Sequence, residues 1–262
     1  MTLRQPRISE GSRRLALLVA AAVATISLLC FGASTAIAVD EPQLREQRVF
    51  GTSVQGRPLV AYRYGTPGGV VVMVVGVIHG DEDAGLLITD ALRTLRPPDG
   101  VDLWIVPSMN PDGTALQQRG NANRVDLNRN FPYGWAKMGE PGYWQYAGPS
   151  RASEVETRAM VKFVREIRPA LGIWYHQDLN MISPGSGFEG RLRARYGALT
   201  GLPLVRITGG KYTGVAATWQ RNVGQDAMAF VVELGPTLSA EEAIVHARAV
   251  MAVSLMVQRA RG

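Results

Sequence analysis

Residues 70–82 read VVVMVVGVI-HGDE. From Val70 to Ile78 every side chain but one is apolar, and most are β-branched. Such a run predicts a central strand buried on both faces, as in a parallel sheet. The run stops at His79, Gly80 permits a sharp turn, and Glu82 follows three residues after the histidine. A His and a Glu so spaced at a strand end can both reach one metal ion, although an isolated H-x-x-E also occurs in surface turns. The chain has only two other histidines. His176 directly follows the apolar segment Leu171–Tyr175, which makes it the natural third ligand; alone it also reads as a core histidine. Three N/O ligands with one position left open describe a catalytic zinc site rather than a structural one. His246 stands among Ile244, Val245 and Val250 in a helical pattern and reads as structural.

Further strands are expected at Leu59–Tyr64, Asp102–Val106, Leu171–Tyr175 and Ala227–Val232. Helical periodicity covers Asp83–Arg96, Ser153–Ile167, Gly190–Leu199 and Ala240–Arg259. Capping boxes, Ser153 with Glu156 and Ser239 with Glu242, open two of these helices. Strands alternating with helices imply a single α/β domain: a mixed, mostly parallel central sheet with helices on both faces. Ligand sites of such sheets lie beyond the C-terminal strand ends, here just after Ile78, Tyr175 and Val232. Gly134–Pro149 is rich in Gly, Tyr and Trp and without period, and reads as a surface loop walling a cleft.

The first 38 residues stand apart. Arg4, Arg7, Arg13 and Arg14 precede a charge-free Ala/Leu-rich run that ends in Ala36-Ile37-Ala38. That is the pattern of a signal peptide, residues 1–38, with Val39 opening the mature chain 39–262. An uncleaved anchor is the other reading of the apolar run. Arg13-Arg14 suits a twin-arginine signal as well as an ordinary basic head. A secreted, periplasmic or cell-wall location follows, with no membrane attachment once the leader is cut. The only cysteine, Cys30, falls in the leader, so the mature chain has neither disulfides nor thiolate metal sites. Leu29 before it does not suit lipid attachment. Of 28 basic and 22 acidic residues the leader holds four and one, leaving 24 and 21. No basic cluster interleaved with aromatics stands out, which argues against nucleic-acid binding.

The stretch 119–132, RGNANRVDLNRNFP, makes a resemblance specific. Together with GTSVQGRP (51–58), HGDE (79–82), NPDG (110–113), WYHQ (174–177) and FVVEL (230–234), it runs in the order found in the zinc carboxypeptidase superfamily. The chain resembles in particular the compact bacterial murein peptide amidase branch. The resemblance implies one zinc ion per chain on His79, Glu82 and His176, and Asp126 as the carboxylate that holds the first zinc histidine. It implies Glu233 as general base; a lone Glu after an apolar strand is otherwise a solvated strand end. Asn128 and Arg129 match the pair that grips the substrate's terminal carboxylate, a task for which the guanidinium fork is suited. Arg119 aligns with the arginine facing the scissile carbonyl, with Arg124 as competitor at a position where many relatives have Gly. Tyr212 is the candidate for the mobile tyrosine near the substrate. Ala217 and Thr218 occupy the specificity positions; neither is charged, so no partner for a charged substrate side chain is expected there. The implied substrate is a peptide or muropeptide, cut next to a free carboxylate at bonds such as γ-D-Glu–diaminopimelate, by a monomer. A general exocarboxypeptidase, an N-acyl amino-acid deacylase and an inactive wall-binding module are the alternatives.

Overall fold

The buried run at residues 70–77 is the centre of the sheet. The computed structural model describes residues 43–261, so the expected leader and its cleavage site lie outside the described residues. Six strands follow in chain order: β1 Leu44–Thr52, β2 Pro58–Gly65, β3 Val70–Val77, β4 Val101–Ser108, β5 Leu171–Gln177 and β6 Met228–Leu234. Their order across the sheet is β1-β2-β4-β3-β5-β6. β3 pairs in parallel with β4 and β5, and β5 with β6, while β1 and β2 form an antiparallel margin. The helices are α1 Gly85–Leu92, α2 Pro111–Leu116, α3 Val155–Ile167, α4 Gly187–Thr200, α5 Ala216–Arg221 and α6 Ala240–Arg261. No helix of the described residues is long and apolar enough to cross a membrane.

Alternation along β3 explains why its apolar run is unbroken. Val72 and Val74 face a core layer shared with Leu92 of α1, Tyr196 of α4 and Val250 of α6. Met73 and Val75 face the opposite layer, with Phe163 of α3, Trp174 and Trp219 of α5. A strand covered on both sides has no position at which a polar side chain is cheap.

Three sequence expectations need correction. The first helix was expected over Asp83–Arg96 and spans only Gly85–Leu92. Its N-cap residue is tied to β5, the Ala84 N–H donating to Gln177 Oε1 (2.8 Å), and Pro97-Pro98 disfavours helical backbone just before them. The Ser153–Glu156 capping box does not form: α3 starts after Glu154 without a side-chain cap. Glu156 instead accepts from the Val54 N–H and Asn121 Nδ2 (both 3.0 Å), and Ser153 Oγ donates to Glu154 (2.7 Å). The second box does form, with Ser239 Oγ accepting from the Glu242 N–H and Glu242 accepting from the Ser239 N–H. Finally, β1, α2 and α5 had no counterpart in the sequence reading. β1 is an edge strand with charged residues through it, and α2 and α5 have six residues each, too few to display a helical period.

The order of strands changes direction at β3: the chain goes next to β4 on one side and later to β5 on the other. In open α/β sheets this switch opens a crevice at the C-terminal ends of the two strands. His79 leaves β3 there and His176, next to last in β5, lies beside it. The turn between His79 and Glu82 packs directly on the NPDG segment, and a Cβ at Gly80 would sit 1.9 Å from the Gly113 carbonyl carbon. Gly80→Ala is expected to lower stability by about 1–3 kcal/mol through this overpacking, and to weaken any metal binding by His79 and Glu82 as their turn shifts. Calorimetry and a zinc titration check both; an unchanged Tm with unchanged affinity would show that the turn relaxes freely.

Candidate active site

His79 is wholly buried after β3, and its turn is tied down by neighbours that the sequence quotes as motifs. Asn110 donates through Nδ2 to the Ile78 carbonyl (3.1 Å) and caps α2 by accepting from the Gly113 N–H (3.0 Å). His79 Nε2 lies 2.9 Å from Asp126 Oδ1. With that nitrogen facing a carboxylate, Nδ1 is the one turned toward Glu82 Oε1, 2.9 Å away. His176 Nδ1 lies 2.8 Å from Glu82 Oε2 and 3.1 Å from His79 Nδ1. One donor atom from each of His79, Glu82 and His176 therefore falls within 4.8 Å of the others. Two ring nitrogens meeting at hydrogen-bond distance against one carboxylate is a poor arrangement for protons and a good one for a dication. The donor set, two imidazoles and a carboxylate, is the kind that leaves a catalytic zinc one open position.

The charges around this trio are arranged in pairs. Burial alone would raise the Glu82 carboxyl, but His176 and then His79 hold it far below the carboxylate range. Asp126 behaves alike: burial opposes ionisation, and His79, Arg119 and Arg129 outweigh it. Burial pulls His79 down, yet Asp126 and Glu82 raise it on balance; for His176 burial prevails over Glu82 and shifts the ring below the ordinary histidine value. Arg119 bridges the two carboxylates, donating from Nη1 to Glu82 (2.8 Å) and from Nε to Asp126 (3.1 Å), and lies 5.0 Å from the Trp144 ring.

A cavity of about 520 Å³ opens on the trio. Arg119, Asn128, Arg129, Tyr212 and Glu233 line it with His79, Glu82 and His176; Asp126 stands behind His79 and does not. Arg124 is absent from the wall, exposed, and left-handed at φ 59°. That backbone favours glycine. Of the two arginines, Arg119 is the one the fold brings to the site. Trp144 and Gln145 line the cavity as well, so the 134–149 loop forms one wall.

Asn128 is less free than its expected role demands. Its Oδ1 accepts from the Ala216 N–H (2.9 Å) and its Nδ2 faces His176 Nε2 (3.1 Å), which fixes α5 against the ligand strand. Arg129 is 3 % exposed, spends Nη1 on the Asn128 carbonyl (2.8 Å) and has a buried Nε without a partner. Tyr212 covers it, with the guanidinium 5.3 Å from the ring. Glu233 is the next-to-last residue of β6 and sits in register with His176. Burial, followed by repulsion from Glu82, pushes its carboxyl up to about 7, the direction useful to a proton acceptor near neutrality. His246 is a core residue, buried and bonded to the Tyr196 hydroxyl (2.8 Å).

Two expectations change. The specificity positions Ala217 and Thr218 do line the cavity, but charge is not absent there: Arg193 and Arg221 line it too, and Arg221 Nη2 donates to Thr218 Oγ1 (3.1 Å). Gln177, quoted only as part of a motif, positions the site; its N–H donates to Glu82 Oε2 (3.1 Å) and its side chain joins Ala84 to the Gly235 carbonyl. The WYHQ segment signalled Gln177, whereas nothing local in the sequence links Arg193 to residue 218.

Comparison with known proteins bears on the same geometry. The zinc carboxypeptidase family profile matches residues 34–187. Murein peptide amidase A of Escherichia coli (strain K12) is 33% identical over 182 residues, covering 65% of this chain and 74% of that protein. Carboxypeptidase B of Rattus norvegicus is 28% identical over 224 residues, 70% of this chain and 54% of its own. Among solved structures, murein-tripeptide amidase from Escherichia coli O157 superposes with a TM-score of 0.64 at 26% identity, over 83% of this chain and 97% of that one. Carboxypeptidase A from Helicoverpa armigera shares the fold at TM-score 0.70 and 18% identity, over 84% and 69%. A mixed six-stranded sheet with a His-Glu-His cluster at its switch point, in a chain matched by that profile over more than half its length, belongs to the zinc carboxypeptidase family of metallohydrolases.

Proposed function

We propose that this chain is an exported, monomeric zinc peptidase that cuts peptide or amide bonds next to a free terminal carboxylate in cell-wall peptides, the γ-D-glutamyl–diaminopimelate bond among them. The observation that carries the reading is one cavity lined by a His-Glu-His trio, a carboxyl raised toward neutrality and a buried arginine with an unpartnered Nε. Relatives named murein peptide amidase A support the wall-peptide substrate. The arginine-rich head and Ala36-Ile37-Ala38 support export.

His79 Nδ1, Glu82 and His176 Nδ1 would hold one zinc ion, which when bound supplies a Lewis acid and makes water more acidic. Asp126 keeps His79 in one tautomer by accepting from Nε2. Arg129 takes the substrate's terminal carboxylate and thereby sets which bond reaches Glu233. Glu233 accepts the proton of the attacking water and returns it to the departing amine, so no net proton is consumed by the protein. Arg119 supplies positive charge beside the carbonyl oxygen as negative charge develops there.

Several measurements test this. Glu233→Gln is expected to retain zinc while lowering kcat by roughly 10²–10⁴-fold, the usual contribution of a general base; undiminished turnover would remove Glu233 from the mechanism. Because Glu233 must be ionised to act, kcat/KM should fall as pH drops through its pKa. A bound dication favours the carboxylate, so the acid limb should appear between about 4.3, the ordinary glutamate value, and about 7. An acid limb that persists unchanged in the residual activity of the Gln variant would assign it to another group. Activity on a γ-D-Glu–diaminopimelate muropeptide should vanish with a chelator and return with zinc. Preference for an N-blocked L-dipeptide would move the assignment to a general exocarboxypeptidase.

A further inference from the structure

The catalytic cavity does not end at Glu233. Along β6, Val231 and Glu233 are partly exposed, and both line it. Further down the strand is Ala229, four residues before Glu233, a span of about 13 Å at about 3.3 Å per residue. β6 is one of the two edge strands of the sheet. The backbone of Ala229 is met there by charged side chains. Its N–H donates to Glu189 Oε2 (3.1 Å), and its carbonyl accepts from Arg221 Nη1 (2.7 Å) and Arg193 Nη2 (3.3 Å). Arg193 also donates to the Ser183 carbonyl (2.9 Å) and pairs with Glu189.

Two guanidinium groups thus converge on one carbonyl with a single carboxylate between them. Both arginines line the catalytic cavity, together with Ser183, Thr218 and Val231, whereas Glu189 is not part of its wall. Arg193 is 8 % exposed and its Nε is buried without a partner. The bare structural reading is that the arginines merely cap an edge strand. One donor would satisfy that carbonyl, and an apolar pocket would need no cation. Placing two like charges together away from water is costly unless an anion joins them.

We propose that Arg193 and Arg221 bind the side chain of the residue released on the C-terminal side of the cut, and select a carboxylate at its far end. This rests on the peptidase reading of the cavity. The span from Glu233 favours a long acidic side chain, as in glutamate, 2-aminoadipate or diaminopimelate, over the short one of aspartate. Lysine or leucine at the same place leaves the two guanidinium groups with Glu189 as their single counter-charge.

The test uses the zinc-loaded protein on two peptide scaffolds, L-Ala–γ-D-Glu–X and N-blocked Ala–X. X is diaminopimelate, 2-aminoadipate, Glu, its isostere Gln, Asp, Leu or Lys. The wild type is expected to favour Glu over Gln roughly tenfold or more in kcat/KM, chiefly through KM, the discrimination of a charge-assisted pair. In Arg221→Gln the Glu/Gln ratio should collapse toward one, and Arg221→Lys should restore part of it. Zinc content and Tm identify a variant that has misfolded, in which case the wild-type ratio decides. Equal turnover of Glu and Gln substrates by the wild type overturns the inference and leaves the peptidase reading intact. So does an equal loss on both substrates in Arg221→Gln, the signature of a strand cap. Turnover of no peptide in either series sinks the peptidase reading, and the inference with it.

Discussion

The buried carboxylate of Asp126 is the point on which the site depends. It is fully enclosed, where an unpaired charge is prohibitively costly. It persists because it accepts from the His79 ring and the Asn128 N–H (both 2.9 Å) while Arg119 pairs with its second oxygen (3.0 Å). Each partner is thereby committed. His79 must present Nδ1 to the cavity, the VDLN turn must hold its 3₁₀ form at Leu127–Arg129, and Arg119 must lie between Asp126 and Glu82. One desolvated charge orders a ligand, a loop and a cation at once.

The sheet decides where that network stands. The reversal of strand order at β3 brings the ends of β3 and β5 together, so two histidines 97 residues apart meet. The parallel register of β5 and β6 then sets Glu233 beside His176. Neither placement requires local strain in these side chains; both follow from strands that end at the same edge of a twisted parallel sheet.

Charge is graded along the cavity. At the ligand trio, anions outnumber free cations and suit a dication. At Arg129 and again at Arg193 and Arg221, cations exceed carboxylates on the wall. A substrate with carboxylates at both ends of its last residue would complement such a surface, and the same pattern disfavours a basic side chain. The loop carrying Trp144 closes one side, stacking on Arg119 rather than filling the space.

Much of this was legible along the chain because it is local. A β-branched run buried on two faces, a histidine at its end, a turn glycine and ordered motifs follow from short-range pattern, and they point to the sheet and to the cavity that His79, Glu82, His176 and Glu233 share. Other features were illegible for physical reasons. β1 mixes charges into an edge strand, six-residue helices show no period, and Glu156 abandons its helix cap for Val54 and Asn121, groups far away in sequence. The choice of Arg119 over Arg124 depends on which side of a left-handed turn faces the cavity. The arginine pair depends on α4 and α5 both packing against β6. By itself, then, the sequence determined the strand, the His-Glu-His cluster at the strand ends and the family. Tertiary structure alone decided which arginines reach the cavity, because a long flexible cation gains its meaning only from the carboxylates and carbonyls that folding brings within its reach.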